Sequence, residues 1–329
     1  MYSYASATDA VAGILRTLVS TGHPVNSVRD SMSVGSNFGA TPRPTIEMVG
    51  SGFSLANPYA RIASFKARRL NIPFAVANFL WTLFGDDDLE MISFYNDRAR
   101  SFSPDGKHLV GSIGKRIFRL DGVNQFEESL NRLRRDPTTR RAVIQMFSPR
   151  DLVEPPLDTP CSASFQLLAR DGELQWVTFM RSQSAAMVLP YDLFVFTMLQ
   201  ETAAASLQLK LGAYHHFCGS LHYYADEEAL VSRILAETPS NDSLLPMPRM
   251  DVAPFLCLPE LKAAEREMRI GLQKRSSCSF LRSAKLSAYW LALFCVVATM
   301  MQRRLGIAVN SELEADIPRP IKYLIDHDF

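Results

Sequence analysis

The chain has 329 residues, of which 47% are hydrophobic, and its 35 basic and 34 acidic side chains leave a net charge of +1. This composition is typical of a globular protein with a sizeable core, and the balanced charge argues against a broad basic surface for nucleic acid. Five cysteines without a CxxC pair predict neither a metal site nor a disulfide framework, so we expect reduced thiols and a cytoplasmic protein.

The predicted elements mix helices with strands along the whole chain. Apolar spacing near 3.6 residues predicts helices, alternation predicts strands, and clustered Gly and Pro predict loops. In chain order these are a helix at residues 7–20, a long loop or mobile flap at 21–43, helices at 73–84 and 124–135, strands at 141–147, 162–170 and 173–181, a helix at 192–208, a strand at 213–224, and helices at 259–274 and 286–304. This mixture without a clear linker predicts one domain of α/β or α+β class.

The most apolar stretch of the chain is residues 286–301. It is about four residues shorter than a bilayer span and contains Ser287 and Thr299. A buried core helix is therefore favoured, and we expect no membrane partner.

Residues 158–192 hold the densest group of chemically useful side chains. Cys161 follows Pro160 at the start of one predicted strand, and Arg181 ends the next. A hairpin with a turn at Asp171-Gly172 would bring the two together, and a thiol near arginine has a lowered pKa and is a better nucleophile. A lone cysteine is, however, more often a small buried apolar residue.

The chain also carries motifs that resemble those of the thymidylate synthase and cytidylate hydroxymethylase superfamily. They occur in the order of that family and are LWTLFGD at 80–86, DPTTRRAVIQMFSPRDL at 136–152, DTPCSASFQ at 158–166 with RSQS at 181–184 and LPYD at 189–192, GSLHYY at 219–224 and PRPIKYLI at 318–325. The resemblance covers roughly residues 25–325, with an unmatched, insertion-like stretch near 235–285. It implies a single domain over residues 1–329, with a large mixed β-sheet that is flanked by helices and packs at a homodimer interface.

The resemblance implies a role for several residues by their position. Cys161 would be the nucleophile that adds to C6 of a pyrimidine nucleoside monophosphate. The other implied substrate contacts are Arg29, Arg140, Arg141, Arg181 and Ser182 at the phosphate, with Arg140 and Arg141 donated by the partner subunit, Gln166 beside the base, and His222 and Tyr224 at the sugar hydroxyl. Arginine is well suited to this task because its planar fork matches phosphate oxygens.

Asp192 stands where thymidylate synthases carry the asparagine that pairs with uracil. A carboxylate accepts the exocyclic amine of cytosine well, whereas it would face uracil O4 with acceptor against acceptor. The cytidylate hydroxymethylases of the family resemble this chain in carrying Asp here, so cytosine is favoured over uracil. The simpler alternative is that Asp192 only caps the helix that follows it.

The positions implied for the folate cofactor, 5,10-methylenetetrahydrofolate, depart from the family pattern. The candidate cofactor residues are Tyr95, Ser184, Val188 and Tyr191. Tyr95 stands where the family has a tryptophan, Ser184 where it has the aspartate that anchors the pterin, and Val188 where it has a glycine. Asn78 replaces the catalytic glutamate, and an amide cannot exchange a proton as that carboxyl does. Residues on the nucleotide side are retained better than residues on the folate side.

Three hypotheses about function follow. The first is a CMP or dCMP 5-hydroxymethylase that uses folate, with the sugar left open. The second is a folate-independent thiol enzyme that acts on a pyrimidine nucleotide, and the third is a non-catalytic nucleotide-binding homodimer. An ordinary thymidylate synthase is disfavoured by Asp192.

Overall fold

A seven-stranded mixed sheet organises the described part of the chain. The computed structural model describes residues 2–26, 43–153, 158–237, 246–317, 321–322 and 325. The strands are β1 (Tyr2–Tyr4), β2 (His23–Val25), β3 (Thr45–Leu55), β4 (Val143–Gln145), β5 (Ser162–Arg170), β6 (Glu173–Ser184) and β7 (Lys210–Tyr224). Their order across the sheet is β1-β3-β7-β6-β5-β4, with β2 paired to β3. The pairs β1–β3 and β6–β7 are parallel and the others are antiparallel.

The helices lie around this sheet. They are α1 (Ala7–Thr21), α2 (Ile72–Phe84), α3 (Leu89–Tyr95), α4 (Ile113–Arg119), α5 (Gln125–Arg135), α6 (Arg150–Val153), α7 (Leu189–Leu207), α8 (Glu228–Ala236), α9 (Leu258–Gln273), α10 (Ala288–Arg304) and α11 (Ser311–Ala315). The fold class predicted from the sequence, a large mixed sheet flanked by helices, is confirmed.

The β5–β6 hairpin forms as predicted, with Arg170 paired to Glu173 across the turn. Asp171 and Gly172 both have positive φ, at 52° and 77°. Such angles suit the two central residues of a tight primed turn, which matches the right-handed twist of the strands.

Helix α7 connects two parallel strands, because it begins after β6 and returns the chain to β7. It is buried along most of its length. The Gln200 amide donates hydrogen bonds of 2.9 Å to the carbonyls of Leu174 and Gly212, one on each strand. The helix is thereby fixed to the sheet that it crosses.

The apolar segment near residue 290 is a core helix. In α10, the Trp290 ring stacks on Phe79 of α2 with centroids 6.3 Å apart. Among the described residues, no helix has both the length and the apolar character needed to cross a membrane.

One face of the sheet is open to solvent in the single chain. Side chains alternate along β6, so Trp176 and Thr178 point into the core while Phe179 points outward. Phe179 stacks on Phe217 of β7 with ring centroids 5.5 Å apart, and each residue is 38% exposed. Val143 on β4 is also exposed on this sheet.

The sequence did not predict β3, which is the neighbour of β7 in the sheet. Gly50 and Gly52 interrupt its apolar alternation, and Gly50 has a φ of 69°.

The predicted flap at 21–43 contains β2, and its residues 27–42, including Arg29, lie outside the described residues. In the insertion-like region 235–285, α9 packs against α10 and α2. Whether the whole chain is one domain stays a prediction.

Candidate active site

The sheet topology brings the ends of four strands to one edge. Because β6 and β7 are parallel, their carboxyl ends lie together, and β5 and β3 run antiparallel to them and begin there. Helix α7 starts directly after β6, so its first turn lies at the same edge. Cys161, Arg181, Asp192 and His222 are all at or next to these ends.

Cys161 precedes β5 and is exposed to solvent. Its carbonyl accepts a hydrogen bond from the Arg181 backbone at 2.8 Å, so the hairpin pairs the two residues as predicted. The thiol pKa is nevertheless raised, because desolvation by the surrounding protein outweighs the lowering by the Arg181 guanidinium, and Asp192 raises it further. The residue thus reaches solvent on one side while protein surrounds its sulfur on the others. The predicted lowering of the pKa is wrong for the unliganded chain.

The Arg181 side chain holds the segment that leads to the thiol. Its Nε donates to the Pro160 carbonyl at 2.8 Å and its Nη2 donates to the Thr159 carbonyl at 3.0 Å. Within the described ranges, no carboxylate forms an ion pair with this guanidinium. Arg181 therefore fixes the nucleophile loop, which is residues 158–161, and its charge stays available to an anion.

The nucleophile loop is also held by a contact with the segment before α4. The Asp158 carboxylate accepts a hydrogen bond from the Gly111 backbone at 2.6 Å. A Cβ atom at Gly111 would lie 1.8 Å from the Asp158 carbonyl oxygen, so the close approach requires glycine. Nearby, Arg116 and Asp151 form a buried bidentate pair at 2.7 and 2.8 Å.

Asp192 lies in the first turn of α7 and is partly buried. The Gln183 amide donates from Nε2 to its Oδ2 at 2.9 Å. Desolvation raises the pKa of Asp192 to about 7, and the hydrogen bond from Gln183 lowers it only in part. Because Asp192 also affects the thiol pKa, the carboxyl and Cys161 share one electrostatic environment.

His222 and Tyr224 end β7 beside each other, with ring centroids 5.1 Å apart. Desolvation lowers the pKa of His222, so the ring is neutral near pH 7. The Arg43 guanidinium lies 3.5 Å from the centroid of the Tyr224 ring and forms a bidentate pair with Asp226. A neutral imidazole and a phenol at this edge can both bond to a sugar hydroxyl.

The structure does not bring every predicted substrate residue together within one chain. Gln166 lies four residues along β5 from Ser162, which is about 13 Å in a strand. Its amide donates to the Arg140 carbonyl at 2.9 Å. Arg140 and Arg141 are exposed before β4. The position of Gln166 beside the base is therefore not supported in the single chain.

The candidate cofactor residues fall into two groups. Ser184 is the last residue of β6, and its hydroxyl is buried without a partner among the described residues. Val188 and Tyr191 lie at the start of α7, and Val188 is exposed. The Tyr191 hydroxyl accepts from the Asn71 backbone at 3.2 Å, and the Arg68 guanidinium lies 5.1 Å from its ring centroid. An unused hydroxyl, an apolar side chain and an aromatic ring fit a flat heteroaromatic group such as a pterin.

Tyr95 is different, because its side chain is fully buried in the core. Its hydroxyl donates to Glu265 at 3.1 Å, and Glu265 pairs with Arg269 at 3.0 Å. In this arrangement Tyr95 has a structural partner and no surface for a ligand. Asn78, the other residue that departs from the family pattern, is partly exposed on α2.

Sequence reasoning missed three polar residues at this edge. Gln183 holds Asp192, and Arg43 stacks on Tyr224. Arg68 is buried and donates to the Met187 carbonyl. Gln183 lies within the RSQS motif, but the alternation of a strand does not reveal which side chain turns toward the following helix.

The comparisons with known proteins agree with the motifs. A family model described as Thymidylate synthase matches residues 61–303. Over 184 residues, the chain is 28% identical to the deoxyuridylate hydroxymethyltransferase of Bacillus phage SP01, covering 52% of this chain and 48% of that protein. It is also 26% identical over 199 residues to the deoxyuridylate hydroxymethyltransferase of Delftia phage PhiW-14, covering 56% of this chain and 54% of that protein. The chain thus spans about half the length of these curated relatives.

Proposed function

The chain belongs to the thymidylate synthase family, and from this premise we propose that it transfers a one-carbon unit to C5 of a pyrimidine nucleotide, with a cytidylate as the preferred substrate. The observation that carries the proposal is the shared environment of Cys161, Arg181 and Asp192 at one edge of the sheet. A nucleophile, a cation and a base-reading carboxyl are the groups that this reaction needs.

The proposed reaction begins with addition of the Cys161 thiolate to C6. A carbon–sulfur bond forms, the C5–C6 double bond is lost, and C5 becomes nucleophilic. When Asp192 is neutral, it no longer raises the pKa of the thiol, so that the lowering by the Arg181 guanidinium is opposed only by desolvation. After C5 carries the one-carbon unit and has released its proton, elimination of the thiolate restores the double bond.

Methylenetetrahydrofolate, when bound, would supply a one-carbon unit at the oxidation level of formaldehyde. Ser184, Val188 and Tyr191 are the residues that would hold it, since the connection from β6 to α7 offers a hydroxyl without a partner among the described residues, an exposed apolar side chain and an aromatic ring. Water rather than hydride completes a hydroxymethyl group. This outcome agrees with the hydroxymethyltransferase relatives.

The pKa of Asp192, raised to about 7, is compatible with cytidylate as the substrate. One carboxyl oxygen accepts the exocyclic amine, and the other contact requires a proton shared between the carboxyl and ring N3. A carboxyl that is half protonated near neutral pH provides that proton at little cost. An aspartate with a low pKa would leave N3 facing a second acceptor.

The phosphate site requires a second copy of the chain in this proposal. Arg181 and Ser182 come from one protomer, while Arg140 and Arg141 are remote from Cys161 along the sheet and would come from the partner. The exposed Phe179–Phe217 pair supports packing of the open sheet face against another copy, since apolar patches of this kind mark interfaces.

A deoxyuridylate is the second candidate substrate, because both relatives act on deoxyuridylate according to their names. A neutral carboxyl offers one donor and one acceptor, and so it can in principle pair with uracil as an amide does. The two candidates share the same chemistry at C5 and C6 and differ in the group at C4.

The test is incubation of the purified chain with CMP, dCMP, UMP or dUMP, each with and without methylenetetrahydrofolate, followed by mass spectrometry. The expected product is a cytidylate heavier by one formaldehyde unit, formed only with folate. A uridylate product alone would select the second candidate. Lack of any product and of any nucleotide binding would refute the proposal, with Cys161→Ala as the control that retains the pocket but not the nucleophile.

A further inference from the structure

The carboxyl of Asp192 does not by itself decide between an amine and a carbonyl at C4. In its neutral form it carries both a donor and an acceptor, which can match either base after rotation. A second polar group beside the carboxyl is therefore needed for selectivity, and Gln183 is the side chain that the structure holds there.

Gln183 is placed by β6, near the carboxyl end of the strand, where it pairs with Leu221 of β7. Only 2% of the residue is exposed. Its Nε2 donates to Asp192 Oδ2 at 2.9 Å, while its Oε1 is buried and has no hydrogen-bond partner in the described part of the chain. The amide orientation is the one that the ionised form of Asp192 requires, because a carboxylate can accept from N–H but has no hydrogen to donate to a carbonyl oxygen.

A buried acceptor without a donor is unfavourable, and a ligand that supplies the donor recovers this loss. The Gln183 Oε1 atom is bonded to the same carbon as the Nε2 atom that contacts Asp192, so it lies next to the carboxyl. Gln183 Oε1 is therefore an additional unused hydrogen-bond acceptor beside the Asp192 carboxyl.

We propose that Gln183 is a specificity-determining residue, which holds Asp192 with its amide N–H and accepts the C4 amine of the substrate with its free carbonyl oxygen. The inference rests on the proposed function and names the group that selects the substrate. Cytosine satisfies Oε1 with an N–H. Uracil would place O4 against Oε1, leaving two acceptors facing each other in a buried position.

The test compares the ratio of kcat/KM for dCMP to that for dUMP in the wild type, Gln183→Met and Gln183→Glu. Methionine keeps the length and removes both polar atoms, so we expect the ratio to fall by about tenfold to a hundredfold. In Gln183→Glu the two adjacent carboxyls share a proton. The introduced carboxyl, when protonated, keeps a donor toward Asp192 and a carbonyl acceptor toward the base, so the ratio for Gln183→Glu should stay within about threefold of wild type. Gln175→Met makes the same change elsewhere on β6 and should leave the ratio unchanged.

Because both kcat/KM values are measured on the same preparation, their ratio does not depend on the fraction of folded protein. If turnover is slow, the ratio of the dissociation constants for dCMP and dUMP measures the same selectivity. A wild type that prefers dCMP with an unaltered ratio in Gln183→Met would overturn this inference and leave the proposed function intact. A wild type that prefers dUMP would overturn it as well, while pyrimidine chemistry stands. A wild type that binds no pyrimidine nucleotide would overturn both.

Discussion

Replacing Asp192 by Asn should stabilise the unliganded protein at alkaline pH. In the folded chain the pKa of Asp192 is raised from 3.8 to about 7, mainly by desolvation. The difference is about 3 pH units, and at 1.36 kcal/mol per unit the ionised carboxyl costs up to about 4 kcal/mol. Since the residue keeps partial contact with solvent, we take about half of this, roughly 2 kcal/mol.

The sign of the pH dependence follows from proton binding. The folded state holds this proton more tightly than the unfolded state, so the contribution of Asp192 to stability falls as pH rises from about 4 to about 7 and stays low above that. Asparagine is neutral at every pH, and its side-chain oxygen can still accept from Gln183. The Asp192→Asn variant should therefore gain on the wild type as pH increases.

The assay is urea denaturation of both proteins at pH 5 and pH 8, analysed for the free energy of unfolding. We expect the variant to be more stable by about 2 kcal/mol at pH 8 and by less than about 1 kcal/mol at pH 5. Asp171→Asn makes the same chemical change in an exposed turn and is the control. A stability difference that is equal at the two pH values, or that the control reproduces, would refute the reasoning.

Three further predictions concern the nucleophile, its loop and the open sheet face. Cys161→Ala should lower turnover by at least about a thousandfold while nucleotide binding persists. Cys257→Ala, which removes a thiol remote from the site, should leave turnover unchanged, and the measured rates and dissociation constants of both variants decide this. Gly111→Ala should lower the free energy of unfolding by about 1–3 kcal/mol, since the added Cβ would lie 1.8 Å from a carbonyl oxygen. The control Gly271→Ala, whose Cβ would have its nearest contact at 3.6 Å, should not destabilise the protein, and equal denaturation midpoints for the two variants would contradict this prediction. Phe179→Asp should convert a wild-type dimer to monomer in sedimentation at micromolar concentration, and a wild type that is already monomeric would argue against the proposed interface.

Local sequence patterns were sufficient for the elements with strong periodicity. The β5–β6 hairpin follows from alternation and from Asp171-Gly172, whose preference for positive φ is a property of the residues themselves. The buried helix α10 follows from an apolar segment too short for a bilayer. By contrast, β3 was missed because its glycines break the alternation, and only pairing with β7 makes it a strand.

At the candidate site, the sequence determined which chemical groups are present and, through the order of its motifs, the family to which the chain belongs. Cys161, Arg181 and Asp192 could be named in advance because each sits in a motif of that family. The pKa values of Cys161 and Asp192 could not be predicted, since the pKa of a thiol or carboxyl depends on how much protein surrounds it and on charges from distant segments. Tertiary structure also decided that Gln183 turns toward Asp192, because that contact joins a strand end to a helix start, and only the packing of α7 on the sheet fixes the distance between them.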